Sequence, residues 1–209
     1  KLLWSPFNYG VECEVNLQTY NGAPINENYY ITKCYDSPGM RLAWGDIEKP
    51  AGWWKSTYNT SAIGATQYPW GITNNDKDAR DLKLEHDIVQ RNWPTGWYIP
   101  TAWDYELLIA GVTITYNSGW FILTSKTNGN SIKIPGTFYI DNSDYKNIAL
   151  TTSVYLESCT IGTGTGEPTQ YALNIYYKSD KATGTLASGA GRATGLMIRP
   201  VKYVRVQQQ

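Results

Sequence analysis

Alternating polar and apolar side chains mark one strand clearly, in the run Tyr171-Ala172-Leu173-Asn174-Ile175-Tyr176-Tyr177-Lys178. Successive side chains of a strand point to opposite faces, so we expect Leu173 and Ile175 to face a core. We expect Ala172, Asn174 and Tyr176 to face outward. The pattern leaves two interpretations of that outward face open: an ordinary solvated strand, or a recognition surface built from Tyr and Asn.

Further strands are predicted where β-branched and aromatic residues stand between turn residues. These segments cover residues 1–4, 11–17, 41–44, 120–125, 131–135, 154–158 and 196–206. Two segments of small residues, 160–168 and 183–191, are predicted as loops. Residues 21–39 carry two turn signals and are predicted as a hairpin or inserted loop, and residues 45–80 show little periodicity.

One helix is predicted over residues 100–109. Thr101 is placed to cap its start, and Asp104 follows three residues later in the first turn. We expect Trp103, Leu107 and Ala110 to share its apolar face, and Gly111 to end it. A weaker helical pattern covers residues 78–89. Helices early and strands late in the chain favour a single α+β domain over residues 1–209.

The charge balance argues against nucleic acid as a partner. The 209 residues include 18 Lys plus Arg and 18 Asp plus Glu, which give a formal net charge of zero, and no basic stripe stands out. Charged residues are scarce, whereas 17 Tyr and 9 Trp stand against 3 Phe. Tyr and Trp suit both cores and wet binding surfaces. No apolar run approaches the ~20 residues that span a membrane.

The three cysteines, Cys13, Cys34 and Cys159, lack the spacing of a metal site. Cys13 and Cys34 could form a disulfide; the alternative is that all three are buried or idle thiols. The chain begins abruptly at Lys1, which we interpret as a processed or trimmed start.

Three short motifs contain residue types that can carry chemistry. The run 162–167 lacks the spacing of a dinucleotide loop and is predicted as a flexible turn. His86, between Glu85 and Asp87, is the single histidine; we expect it to be solvated or structural, although a general acid–base role needs only neighbouring carboxylates. The tripeptide 167–169 resembles a calcium- and sugar-binding turn but offers one carboxylate where calcium needs six to eight oxygen ligands, so we expect no metal.

Several segments, in order along the chain, together resemble one family. They include Leu42-Ala43-Trp44-Gly45-Asp46, Gly96-Trp97-Tyr98-Ile99-Pro100-Thr101, Ser125-Lys126-Thr127-Asn128-Gly129-Asn130-Ser131-Ile132 and Arg199-Pro200-Val201. The chain resembles the Fibrobacter-succinogenes-major-paralogous-type domain common in surface proteins of gut Bacteroidetes. The resemblance implies a C-type-lectin-like fold with small antiparallel sheets, one or two helices and long irregular loops.

This chain departs from the family pattern at three places. Residues 16–39 look inserted, and the family's Trp-Ser-Ser is replaced by Tyr155-Leu156-Glu157-Ser158. The catalytic cysteine pair of the related formylglycine-generating enzymes is missing, because Cys159 stands alone near the C-terminus. Copper-dependent oxidase chemistry is therefore not expected.

The resemblance also implies a binding surface. Relatives diversified by retroelements display variable side chains on the late strands and loops, over a framework matched here by Leu173, Ile175, Gly195, Ile198 and Pro200. The corresponding ligand-binding positions in this chain are Tyr155, Glu157, Asn174, Tyr176, Lys178, Arg192, Ala193, Thr194 and Leu196.

From these observations we expect a non-enzymatic ligand-binding or adhesion domain that recognises a protein or a glycan without a cofactor. The alternative is a structural or assembly module of a pilus or phage particle. A stable homo-oligomer would favour that alternative, and a monomer would favour free recognition. An enzyme would need a pocket that joins His86 to a carboxylate. The expected location is the cell surface or outside the cell, as a pilus protein or lipoprotein, or a phage virion.

Overall fold

The computed structural model describes residues 1–10, 41–42, 44–45, 47, 75–136, 151–164, 169–192 and 195–204. The predicted strand 11–17, the insertion 16–39, Cys13 and Cys34 lie outside the described residues. The single-domain assignment stays a prediction.

Eleven strands and three helical segments are formed by the described residues. The helical segments are a 3₁₀ helix Leu84–His86, α1 Ile88–Asn92 and α2 Ala102–Gly111. The strands are β1 Leu2–Trp4, β2 Arg41–Leu42, β3 Trp97–Tyr98, β4 Val112–Asn117, β5 Trp120–Ser125, β6 Ser131–Pro135, β7 Ser153–Ile161, β8 Thr169–Lys178, β9 Lys181–Gly191, β10 Leu196–Met197 and β11 Val201–Tyr203.

The strands form three sheets. A three-stranded sheet in the order β1-β11-β3 joins the first and last described strands, and β4-β5-β6 form an antiparallel meander. The third sheet has five strands in the order β2-β10-β7-β8-β9, of which β10 and β7 run parallel and the other neighbours antiparallel. The described chain is thus sheet-rich with few helices, as expected for the α+β class.

The core covers one face of the five-stranded sheet. Leu173 and Ile175 are fully buried there, together with Val154 and Leu156 of β7, and Tyr105 of α2 packs in the same cluster. The expected inward direction of Leu173 and Ile175 is confirmed. A second buried cluster is centred on Trp44 and includes Tyr9, Leu42, Leu82, Ile88, Val89, Ile99, Cys159, Ile161 and Ile198.

Helix α2 begins as predicted, but its buried face is not the predicted one. The Asp104 backbone N–H donates to Thr101 Oγ1 (3.1 Å), and the Thr101 N–H donates back to Asp104 Oδ2 (3.0 Å), a reciprocal cap. Trp103 and Leu107, expected to be inside, are each 45 % exposed. Because apolar residues surround much of this helix, the stripe containing Tyr105 and Leu108 can pack instead. The buried position suits Tyr105, because its hydroxyl donates a hydrogen bond to the Glu157 carbonyl (2.8 Å) within the core.

Two other predicted elements have wrong boundaries. The pattern over 78–89 gives only the 3₁₀ helix and α1, because extended Asp87 separates them and caps α1. The strand predicted over 196–206 is two strands, β10 and β11, separated by residues 198–200. Proline 200 lacks a backbone N–H for pairing.

The small-residue segment 183–191 is not a loop but most of β9. It pairs with β8 from Lys181 to Gly191. Its small residues serve close packing: a Cβ built on Gly184 would meet Ile114 Cδ1 at 2.9 Å and Ile109 Cγ1 at 3.3 Å. The strand propensity of its residues does not predict β9, because pairing with β8 rather than its own side chains stabilises the strand.

The glycine turn after β7 is tightly held over its described part, residues 162–164. The Gly162 N–H donates to the Thr169 carbonyl (2.9 Å), and the Thr163 N–H donates to the Ser188 carbonyl (3.0 Å). A Cβ on Gly162 would lie 2.2 Å from the Ser188 oxygen. The predicted flexible turn is therefore corrected for these residues to a segment pinned against β8 and β9.

Gly162→Ala is expected to destabilise the fold by about 2–4 kcal/mol, because backbone atoms that cannot rotate away block its methyl group. Gly189→Ala is the matched control, since nothing lies within 4 Å of a Cβ there. Urea unfolding followed by circular dichroism measures both. Equal stability of the two variants would contradict the packing described for Gly162.

Cys159 is expected to resist thiol reagents in the native protein. It is buried, and burial raises the pKa of its thiol well above the ordinary value, so thiolate is scarce. In a Cys13→Ser/Cys34→Ser background, Ellman's reagent should modify it only at the rate of unfolding, and fully in guanidinium. Rapid modification of the folded chain would show that this buried position is wrong.

Candidate functional site

The five-stranded sheet presents a second face, opposite the aliphatic core, which we call the outer face. Directly opposed residues of neighbouring strands share a face, and two rows cross three strands here. One row is Ser153, Tyr176 and Thr183; the next is Tyr155, Asn174 and Thr185. The outer face is defined by these six residues.

The six side chains are polar yet uncharged. Thr185 is exposed and the other five are partly exposed. The Ser153 hydroxyl donates to Asn174 Oδ1 (3.4 Å), which links the two rows. Phenols, an amide and hydroxyls together offer donors, acceptors and two aromatic rings, the mixture found on adaptable binding surfaces.

The aliphatic face of the sheet fixes the outer face in place. Leu156, Leu173, Val154 and Ile175 are fully buried on strands β7 and β8, directly between the outward residues in sequence. Because side chains alternate along a strand, these buried residues determine which neighbours point outward. A shift of register by one residue would bury Asn174 and Tyr176 and expose the core, so the register is strongly specified.

Four of the predicted binding residues lie on or beside the outer face. Tyr155, Asn174 and Tyr176 belong to it, and exposed Lys178 follows two residues after Tyr176 on the same side of β8. The structure thus brings together residues that are about twenty positions apart in sequence. Whether they bind a ligand stays a prediction.

Three predicted binding residues are instead buried, so their expected display is corrected. Glu157 is 1 % exposed, Arg192 is 1 % exposed and Leu196 is 2 % exposed. Leu196 pairs with Leu42 inside the sheet. The Arg192 Nε donates to the Thr169 carbonyl (2.8 Å), and its guanidinium lies 4.9 Å from the centre of the Trp44 ring.

The remaining predicted positions divide in two. Ala193 and Thr194 lie outside the described residues. Ala172, expected to face outward, is fully buried beside Glu157, its partner on β7. The end of the outer face nearest Glu157 is therefore closed, and the accessible part lies toward the β8–β9 turn.

That turn gives the accessible end a positive character. Lys178 and Lys181 oppose each other across a two-residue turn in which Ser179 and Asp180 have positive φ values of 51° and 60°. The Tyr177 hydroxyl donates to Asp180 Oδ1 (3.0 Å), and this hydrogen bond is the main cause that raises the pKa of Tyr177. The acid is thus directed to Tyr177 while both lysines stay exposed.

Ser153, Thr183 and Thr185 were missed from the sequence. Thr183 and Thr185 lay in a segment predicted as a loop. Their spacing by two, with Leu186 after them, was the available signal, but the surrounding Gly and Ala residues obscured it. Ser153 lay one residue before the predicted strand.

The candidate metal and acid–base residues are placed as follows. His86 is buried, and its Nδ1 atom has no hydrogen-bond partner among the described residues. Asp87 accepts backbone N–H bonds from Val89 (2.9 Å) and Ile99 (3.0 Å), so its carboxylate serves helix capping. Of the tripeptide 167–169, only Thr169 is described, and it is buried at the start of β8. Among the described residues no group of three or more His, Cys, Asp or Glu side chains is placed to hold a metal.

Comparison with protein-family models, with curated proteins and with solved structures found no match for this chain. Within the described ranges, none of the helices has the length and apolar character needed to cross a membrane.

Proposed function

We propose that this chain is a non-enzymatic binding or adhesion domain that attaches to a protein or a glycan through the outer face. The observation that carries the proposal is the pair of rows Ser153-Tyr176-Thr183 and Tyr155-Asn174-Thr185. They place uncharged polar groups and two aromatic rings on a rigid three-strand support. No cofactor is required, because affinity comes from aromatic anchors with adaptable polar neighbours.

The proposal includes a C-type-lectin-like fold and kinship with the Fibrobacter-succinogenes-major-paralogous-type domains. The small antiparallel sheets and the few helices of the described residues support it. By the same resemblance, the proposed location is a cell surface, a secreted pilus protein or lipoprotein, or a phage virion.

Binding rather than catalysis is favoured by how the titratable groups are used. Asp87, the acid beside the single histidine, accepts from the Gln90 N–H (3.0 Å) and Gln90 Nε2 (2.9 Å) as well as from two other backbone groups. A carboxylate engaged in this way stabilises α1 and has little capacity left for proton transfer.

The proposal is tested on an array of glycans and bacterial and host surface proteins, probed with and without calcium. We expect the wild-type chain to bind, with no calcium requirement. Asn174→Ala/Tyr176→Ala should weaken that binding by about thirtyfold or more, because it removes a central aromatic anchor and its polar neighbour.

The matched control is Trp103→Ala/Leu107→Ala, which removes one aromatic and one aliphatic side chain from the exposed face of α2. It should bind like wild type. Unchanged melting temperatures establish that both variants fold. Equal binding by Asn174→Ala/Tyr176→Ala and wild type would refute the outer face as the binding surface.

A further inference from the structure

Strand β9 is one edge of the five-stranded sheet: its described partner is β8 alone. The two-residue turn makes Lys178 and Lys181 a hydrogen-bonded pair, and such pairs alternate along an antiparallel ladder. The N–H and C=O groups of Ala182, Gly184 and Leu186 therefore point away from β8. The Tyr177 N–H donates to the Thr152 carbonyl on the other side of β8 (2.8 Å), as this alternation requires.

These outward backbone groups can be satisfied by another strand. Among the described residues, no strand pairs with β9 along this edge. Edge strands are commonly protected from added strands by Lys, Pro or a bulge. In β9 the charged residue is Lys181 at the start, and residues 182–191 contain neither charge nor proline.

The protection that β9 does have lies at its far end. The register shifts between Gln170 and Ala172, where Ser188 and Gly189 face one residue of β8. Such a bulge ends regular pairing. The regular edge thus runs from Ala182 to Ala187, a length of about 20 Å at the usual rise of a strand.

A cavity of about 610 Å³ adjoins this edge. Gly184, Leu186 and Ser188 of β9 form one side, and Glu106, Ile109 and Ala110 of α2 form the other. An edge strand beside a helix, with a groove between them, is the geometry in which an extended peptide adds a strand to a sheet and inserts alternate side chains.

The lining of the groove defines what fits. Its apolar contacts come from Ile109, Leu186 and buried Tyr171. Two charged residues, Lys77 and Glu106, belong to the described lining, and they form a salt bridge with each other. The described lining therefore carries no net charge. A neutral strand with small or aliphatic alternate side chains matches this lining, and its backbone matches the edge.

We propose that the edge of β9 is a docking site for an extended, uncharged peptide segment of a partner protein. The segment lies beside Ala182–Leu186 as an additional strand, and every second side chain enters the groove against α2. This site adjoins the outer face, because Thr183 and Thr185 of β9 belong to both. It uses the backbone edge of β9 and the groove, and does not involve Tyr155, Asn174 or Tyr176.

The test uses phage-displayed random peptides of about nine residues, panned on the full wild-type chain. An enriched peptide, made synthetically with a fluorescent label, is the probe. Ala110→Trp fills the groove from an exposed position of α2 and should weaken probe binding about tenfold or more. Leu107→Trp, exposed on the same helix and outside the groove, is the matched control and should bind normally.

The probe itself supplies a second control. Methylating its backbone nitrogens one at a time should abolish binding at every second position only, because alternate N–H groups face β9. Amide exchange of Gly184 and Leu186 should slow when the probe binds, and Asn174→Ala/Tyr176→Ala should leave probe affinity unchanged.

Three results would overturn the proposal. One is that panning on the wild-type chain enriches no peptide beyond what panning on Ala110→Trp enriches. Another is a contrary result with the probe, either equal affinity for wild type and Ala110→Trp or loss of binding on methylation at consecutive backbone nitrogens. The third is self-association of the peptide-free chain that Ala110→Trp abolishes, which assigns the edge to a second copy instead.

Discussion

Trp44→Ala is expected to lower the free energy of unfolding by about 3–5 kcal/mol. The Trp44 ring is fully buried in the second cluster, and its Nε1 donates to the Ser158 carbonyl (2.8 Å). Alanine would leave a large cavity and a buried carbonyl without its donor. The ring also lies beneath the buried Arg192 guanidinium, so alanine would remove this cation–π contact as well.

Equilibrium urea unfolding, followed by far-ultraviolet circular dichroism, measures this loss. Trp103→Ala is the matched control, because its ring is 45 % exposed on α2 and its removal should cost less than about 1 kcal/mol. Trp44→Phe should fall between the two, since it keeps most of the packing but no donor. Similar losses of unfolding free energy for Trp44→Ala and Trp103→Ala would contradict the burial of Trp44 in the second cluster.

Arg199→Met is expected to cost about 3 kcal/mol or more. The buried guanidinium donates to the Ser5 carbonyl (3.0 Å) and to the Lys133 carbonyl (2.7 Å). It thus connects the segment after β1 with strand β6 of another sheet. Methionine fills much of the volume but leaves both carbonyls without their charged donor.

Lys202→Met is the control for the loss of a cation. Its Nζ donates to the Thr95 carbonyl (3.1 Å) at the surface, and removal of such a bond should change stability by no more than about 0.5 kcal/mol. Arg199→Lys should be nearly as damaging as methionine, because one ammonium cannot reach both carbonyls. Wild-type stability of Arg199→Met would show that Arg199 does not join the sheets.

The features predicted well from sequence are those that local chemistry determines. Alternation on β8 gave the inward direction of Leu173 and Ile175, and the spacing of Thr101 and Asp104 gave the start of α2. Strands β5 and β6 were predicted to the residue, because their β-branched and aromatic runs are bounded by Gly, Asn and Pro.

The features that could not be predicted from sequence depend on which elements pack against each other. Helix α2 is apolar on more than one side, so only packing shows that Tyr105 is inside and Trp103 outside. Strand β9 has small residues with weak strand preference, and pairing with β8 creates it. Glu157 and Arg192 were expected outside because the family resemblance implies display at those positions, whereas each is 1 % exposed here.

The residues of the candidate site also differ in whether they could be predicted from sequence. Asn174 and Tyr176 could be assigned from alternation alone, whereas Thr183 and Thr185 join them only through the register of β9. The burial of Glu157 and Leu196 reflects neighbours distant in sequence: Leu196 is covered where β10 meets β2.

Mapping amide chemical-shift changes in the labelled chain, on titration with the tightest binder from the array, tests the central claim most directly. Recognition by the outer face predicts that the largest changes fall on Tyr155, Asn174, Tyr176, Thr183 and Thr185. The amides of α2 should stay nearly unchanged. Largest changes on α2 or on the β1-β11-β3 sheet, with those five amides unmoved, would contradict the claim.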